Sequence, residues 1–282
     1  MNDMTVVIVA GVAGRMGREV ARAALAATDI DLAGALESRA HPVSGGTLRE
    51  LGFDSDAPVG GALRDLASAI AVGDSRSGVA RRPVLIEFAT GQGALHHARA
   101  AAERGFAVVS GSTGLSSEED AAFRELGGEV PVVRGANFAR GALALMRISR
   151  ELVEMLGPAY DVEIVETHHR GKRDAPSGTA LALFEAIRGA SGRDGARPVH
   201  GRHGESPRQR GEIGIHAVRA GAVSGEHRLL VAGDGESMEL VHRVSGREAF
   251  ADGALHAARA AAALSPGYYA ALDVLMPAGT RR

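Results

Sequence analysis

Val6-Val7-Ile8-Val9-Ala10-Gly11-Val12-Ala13-Gly14-Arg15-Met16-Gly17 passes from an uncharged β-branched run directly into three glycines spaced three apart. The run reads as a strand, Val6–Ala10, and the Ala-rich stretch after it as a helix over Met16–Ala27. Glycine at the junction lets the backbone turn tightly and approach a pyrophosphate, whose charge the free amides at the helix start would meet. The spelling G-x-x-G-x-x-G departs by one residue from the commonest dinucleotide motif, and close strand-to-helix packing also selects glycine. A second signal stands twenty residues beyond Gly17, where Glu37 closes the next predicted strand, Asp31–Leu36. An acid at that place accepts hydrogen bonds from the adenosine ribose hydroxyls. Arg39 is positioned to face a 2′-phosphate, which Glu37 would repel, so NADH and NADPH both stay open.

Outward from this turn, strands at Val84–Phe88, Ala107–Ser110 and Val130–Val133 alternate with helical stretches at Leu63–Ala69, Leu95–Arg104 and Glu118–Leu126. A Ser116/Glu119 capping box opens the last of these. The expected class is α/β, an N-terminal Rossmann-like, doubly wound parallel sheet. Gly111-Ser112-Thr113-Gly114 and Phe88-Ala89-Thr90 fall at the carboxyl ends of its strands, where such sheets bind ligands, although ordinary turn chemistry also places these residues there. Beyond Gly141 the rhythm changes. A helix at Ala142–Leu156, a strand at Asp161–Glu166 and a helix at Thr179–Gly189 precede a polar loop over Ala190–Gly211. Strands at Ile213–Arg219, His227–Ala232 and Ser237–Arg243 follow, then a helix at Ala249–Leu264. This half is expected to be a second, α+β domain on a mixed sheet.

Composition narrows the function classes. The 282 residues carry 32 cationic and 34 anionic side chains, a net charge of −2, so no field of one sign recruits nucleic acid or a membrane surface. Glu205 and Asp194 dilute the arginines of the polar loop, and no apolar run approaches the roughly 18 residues of a membrane span. The N-terminal apolar run lacks a basic leader and reads as a strand rather than a signal peptide. With no cysteine there is no disulfide framework, thiolate metal site or cysteine nucleophile, and a cytoplasmic location is the expectation.

The densest chemistry is Glu166-Thr167-His168-His169-Arg170-Gly171-Lys172-Arg173-Asp174-Ala175-Pro176-Ser177-Gly178-Thr179, at a strand exit and helix entry. Histidine delivers protons near neutral pH. Lys172 is the only lysine among the 32 cations, as if a compact ammonium rather than a planar fork were needed there. Ser177, Gly178 and Thr179 bring hydroxyls and backbone amides to a helix N-terminus, suited to a carboxylate, though a cap alone explains one hydroxyl. Glu166, His168, His169 and Asp174 are metal-ligand types, but adjacent histidines on a strand point apart and no H-x-x-x-H spacing occurs, so no metal is expected.

The segment Glu166-x-His168-His169-x-x-Lys172-x-Asp174-Ala175-Pro176-Ser177-Gly178-Thr179-Ala180 resembles the signature of the 4-hydroxy-tetrahydrodipicolinate (dihydrodipicolinate) reductase family of lysine and diaminopimelate biosynthesis. The resemblance extends through Gly111-x-Thr113-Gly114, Ala136-Asn137-Phe138, Arg219-x-Gly221-x-x-x-Gly225-Glu226-His227, Arg247-x-x-Phe250 and Pro266-Gly267-x-Tyr269. It implies His168 as proton donor and acceptor, and Lys172 as the substrate's cationic partner and a second donor. It further implies that His169, Ser177, Gly178 and Thr179 hold carboxylates, joined by Arg247. Gly11, Val12, Ala13, Gly14, Arg15, Met16, Glu37, Gly111, Ser112, Thr113, Gly135, Ala136, Asn137 and Phe138 would contact NADH or NADPH, with Arg39 near the ribose. By the same resemblance, residues 1–137 with 250–282 form the dinucleotide domain, and 138–249 bind a small dicarboxylate and assemble a homotetramer.

Two departures stand out. Glu37-Ser38 replaces the family's common Glu-Arg, with the arginine displaced to Arg39, and Glu87-Phe88-Ala89 replaces Asp-Phe-Thr, with Thr90 a substitute. The implied reaction passes a hydride to a cyclic imine dicarboxylate, with loss of its 4-hydroxyl as water, and then protonates the ring; closure of one domain over the other would exclude water. The competing readings are another two-domain NAD(P)-dependent dehydrogenase acting on an amino or semialdehyde substrate, and a nucleotide sensor without catalysis.

Overall fold

The computed structural model describes residues 4–70, 82–89, 91–190, 192–193 and 195–277. The chain divides into two compact units, Met1–Phe138 with Arg247–Arg282, and Ala139–Gly246. The first is a seven-stranded parallel sheet. In chain order its strands are β1 (Thr5–Ala10), β2 (Ile30–Leu36), β3 (Val59–Gly60), β4 (Val84–Glu87), β5 (Ala107–Ser110) and β6 (Pro131–Arg134). The seventh comes from the C-terminal segment, pairs with β6 and is numbered β12 (Gly267–Ala270); the spatial order is β12-β6-β5-β4-β1-β2-β3.

Both sheet faces are covered, which is why the strands read as continuous apolar runs rather than alternating ones. Val7, Val9 and Ile86 face one core with α1 (Arg15–Ala26) and a helix from the chain's end, numbered α6 (Glu248–Ala261). Ile8, Ala10, Leu85, Val108 and Val132 face the other, under α2 (Gly91–Ala102) and α3 (Ser117–Leu126). The capping box forms as expected: the Ser116 hydroxyl accepts from the Glu119 amide at 3.2 Å and Glu119 accepts from the Ser116 amide at 2.8 Å.

The second unit holds α4 (Arg140–Leu156), α5 (Gly178–Arg188) and a five-stranded mixed sheet. Its strands are β7 (Asp161–His168), β8 (Arg197–Val199), β9 (Glu212–Arg219), β10 (Gly225–Ala232) and β11 (Ser237–Val244), in the order β11-β10-β7-β9-β8. β7 alternates buried and half-exposed residues, as a strand covered on one face must. Register builds cross-strand rungs on the covered face. Ile213, Val162 and Val231 form one, and Ile215, Ile164 and Leu229 the next, all buried beneath the helices. The third rung is different in kind: Ala217, Glu166, His227 and His242. Arg219 pairs with His168 one rung further.

Two expectations need correction. Leu63–Ala69 is not an α-helix; it is a 3₁₀ turn, Leu63–Leu66, because only Leu63 and Leu66, three apart, find a core to face. The Ala190–Gly211 loop contains edge strand β8, whose Pro198 is tolerated because an edge position leaves its missing N–H unneeded. Beyond the helix expected at Ala249–Leu264 the structure adds β12 and a short last helix, α7 (Ala271–Leu275).

Candidate active site

The glycine turn of the first unit forms a cradle at the sheet's carboxyl edge. Gly11 adopts φ +71°, a left-handed conformation suited to glycine, and its amide donates to Leu36 O at 2.9 Å. A Cβ on Gly17 would lie 2.1 Å from Gly11 O, so α1 meets the turn at a distance only glycine permits. α1 starts after Gly14 with no side-chain cap and no acidic residue in its first turn, which suits an incoming anion. Glu37 closes over the cradle: its carboxylate accepts from the amides of Ala13 and Ser38, each at 2.8 Å. Arg39 lies outside, exposed and 3.5 Å from Asp65. The donors and clearances therefore fit a dinucleotide.

Met16, Gly111, Ser112, Thr113, Ala136, Asn137 and Phe138 line one cavity of about 300 Å³, together with Phe88, Phe250 and Arg247. Arg247, expected at a substrate carboxylate, thus shares a cavity with residues expected at the cofactor. Phe88 and Phe250 had no assigned role; the aromatic pair Phe88–Phe138, edge to face at 5.9 Å, forms one wall. Gly135 lies behind the cavity, donating to Ser110 O at 3.2 Å. Fully buried Glu87 joins β4 to β5: the Ser110 hydroxyl lies 3.0 Å and that of Ser112 2.8 Å from its Oε2, and the Ala89 amide donates to Oε1. Burial pushes its carboxyl up, against the opposing pull of Ser112, Ala89, Ser110 and Arg134. Thr90 lies outside the described residues.

In the second unit, β7 and α5 bring the expected chemistry together around a carboxylate to which the sequence reading gave no catalytic role. Glu166 is fully buried. His168 Nδ1 lies 2.5 Å from its Oε2, Arg219 donates to both oxygens at 2.9 and 2.8 Å, and the Ser177 amide donates to Oε1 at 3.0 Å. The Ser177 hydroxyl caps α5, accepting from the Ala180 amide at 3.2 Å, and lies 3.1 Å from His227 Nε2. Of the two predicted hydroxyls, that of Ser177 is therefore committed to the cap. Lys172 Nζ lies 2.9 Å from the Asp174 carboxylate. Asp174 thus stands on the ammonium. His169 is half-exposed beside Gly171, in the turn where the Lys172 amide donates to His169 O at 3.0 Å.

The electrostatics follow from burial. The His168 ring is held below its ordinary range chiefly by burial; Glu166 opposes this, while Lys172 and Arg219 reinforce it. Burial alone would raise the Glu166 carboxyl, but Arg219, His168 and the Ser177 amide outweigh it and hold it low. Asp174 is likewise held low, its burial outweighed by Lys172 and backbone amides. His227, packed edge to face on His168 at 5.2 Å, is pushed down to about 4, mainly by burial. Among the described residues no group of three or more His, Asp or Glu side chains is placed to hold a metal ion. The assembly can therefore offer an imidazole, an ammonium and a helix N-terminus to an acidic ligand.

The chain is similar to known proteins along nearly its whole length. Residues 5–138 match the family described as dihydrodipicolinate reductase, N-terminus, and residues 141–275 its C-terminus. A 4-hydroxy-tetrahydrodipicolinate reductase of Rubrobacter xylanophilus is 47% identical over 280 residues, covering 95% of this chain and 97% of the relative. One of Myxococcus xanthus is 39% identical over 272 residues, covering 95% and 96%. Among solved structures, dipicolinate-bound dihydrodipicolinate reductase from Paenisporosarcina sp. TG-14 superposes with a TM-score of 0.73 at 24% identity, over 95% of this chain and 97% of that one. The likeness to the C. glutamicum DAP dehydrogenase, at 14% identity with a TM-score of 0.52 over 99% and 97% of the two chains, is one of fold alone.

Proposed function

The chain belongs to the dihydrodipicolinate reductase family, an NAD(P)H-dependent oxidoreductase family, and we propose that it reduces 4-hydroxy-tetrahydrodipicolinate to tetrahydrodipicolinate in lysine and diaminopimelate biosynthesis. The observation that carries this reading is the convergence of His168, Lys172 and the α5 N-terminus at one strand exit.

Gly11 to Met16 and Glu37 hold the dinucleotide, with Gly111 to Thr113 and Gly135 to Phe138 around its reactive end. When bound, the reduced nicotinamide supplies the hydride. The chain's own residues do the rest. The Gly178 and Thr179 amides, the Thr179 hydroxyl and His169 receive a substrate carboxylate at the positive end of α5, and Arg247 receives the other. The substrate's 4-hydroxyl leaves as water before or with hydride transfer, and Lys172 stabilises the negative charge that develops on the ring as it is reduced. Protonated His168 gives its proton to the ring carbon that carries this charge. Asp174 must first release Lys172, because the substrate needs the same ammonium.

The direct test supplies purified protein with the condensation product of pyruvate and aspartate semialdehyde and follows the oxidation of NADH and NADPH in parallel. Substrate-dependent oxidation with at least one nucleotide is expected; rates equal to the blank with both would refute the assignment.

The chain is further inferred to act in the cytoplasm as a homotetramer assembled through the mixed sheet. No helix among the described residues is long and apolar enough to cross a membrane. Val218, Met238 and Val241 leave apolar surface exposed on β9 and β11.

A further inference from the structure

We propose that Glu166 is a positioning residue, a buried carboxylate that fixes the tautomer of His168 through Nδ1 and ties that ring to the first turn of α5. The inference rests on the reading of His168 as proton donor. It comes from the third rung of the mixed sheet, where strand periodicity continues from Val162 and Ile164 to Glu166 and His168 on one covered face. An acid would not be buried at that point without partners, and Glu166 has four donors: His168 Nδ1 and Arg219 Nη1 on Oε2, Arg219 Nη2 and the Ser177 amide on Oε1. A carboxylate offers about four lone-pair positions, so these donors saturate it and hold it ionised in one orientation.

Two consequences reach the reaction. An ionised carboxylate at Nδ1 accepts a hydrogen bond from an N–H there, so the neutral ring carries Nδ1–H and leaves Nε2 as the nitrogen that gains and loses the second proton. In the transfer, the Nε2–H bond breaks with its electron pair remaining on nitrogen. The electron pair of the reduced substrate ring forms the new C–H bond, and a proton from solvent restores the imidazolium. The groups facing the ring are Glu166 on β7, Arg219 on β9, His227 on β10 and Lys172 on the loop before α5. Burial, Lys172 and Arg219 all disfavour the charged ring, and Glu166 is the group that favours it. Glu166 thereby sets how much imidazolium is present at neutral pH, while its bond to the Ser177 amide keeps the ring aligned with the helix end.

The test compares wild type, Glu166→Gln and Glu166→Asp as complete enzyme with reduced nucleotide and substrate, measuring kcat and KM across pH. Turnover needs the protonated ring, so wild-type kcat falls as pH rises. In Glu166→Gln that fall is expected at a pH lower by about one unit or more, with kcat at neutral pH reduced about tenfold or more, KM moved less than kcat, and partial rescue in Glu166→Asp. A Glu166→Gln profile superimposable on wild type would overturn the proposal. Long-range ¹H–¹⁵N correlation on the wild-type protein gives an answer even if the variants do not fold. Neutral His168 is expected as the Nδ1–H tautomer, and an Nε2–H tautomer would equally overturn it. Absence of wild-type turnover with either nucleotide would instead count against the proposed reaction, leaving the tautomer to decide the role of Glu166.

Discussion

Lys172 is paired with Asp174 at 2.9 Å. An internal carboxylate therefore holds the ammonium proposed to act on the anionic substrate. Removing its charge relieves that competition, so Asp174→Asn is expected to tighten binding of pyridine-2,6-dicarboxylate about tenfold, about 1.4 kcal/mol. Titration calorimetry measures it, and weaker binding in the variant would show that Asp174 serves mainly to orient Lys172. At this scale the sequence exposed Lys172 through its singularity and His168 through its placement at a strand exit. Glu166 was visible only as a possible ligand type. Its role depends on Arg219, which is 53 residues away in the chain and meets it through the β7–β9 pairing. No local spacing encodes that meeting.

The glycine turn fits a dinucleotide only while Gly17 lets α1 reach the backbone of Gly11. Gly17→Ala puts a methyl 2.1 Å from Gly11 O, so helix and turn must separate. Expected is a loss of stability of about 1–3 kcal/mol, with weakened binding of both NADH and NADPH. Denaturant melts and fluorescence titration with each nucleotide check this, and wild-type affinity for both would disprove the cradle. The long elements around this turn were legible because burial imposes a pattern: β5 falls on the expected residues, and α1 and α3 begin within one residue of expectation. The elements that escaped are short. β3 has two residues, β8 three and β12 four, and each lies at a sheet edge where pairing with one neighbour, rather than a hydrophobic run, defines the strand. The 3₁₀ turn Leu48–Leu51 has the same origin, since only Leu48 of its residues is buried.

For the molecule as a whole, the titratable rung of the second unit ties stability to pH. His227 has a folded pKa of about 4 against an ordinary 6.5 and is only 4% exposed. Between those values the unfolded chain binds a proton that the folded chain refuses. Stability is therefore fully present above about 6.5 and is lost as pH falls toward about 4, by on the order of 3 kcal/mol from this residue alone. His168 and His242, both also held low chiefly by burial, act in the same direction. Thermal melts of wild type and His227→Gln from pH 7 to about pH 4 should show a shallower acid decline in the variant. Parallel declines would remove His227 as the cause. The most direct measurement sets turnover against ligand binding in His168→Gln. With nucleotide and substrate saturating, kcat is expected to drop by about 100- to 10,000-fold while pyridine-2,6-dicarboxylate binds nearly as in wild type. Undiminished turnover in that variant would contradict the assignment of proton transfer to the end of β7.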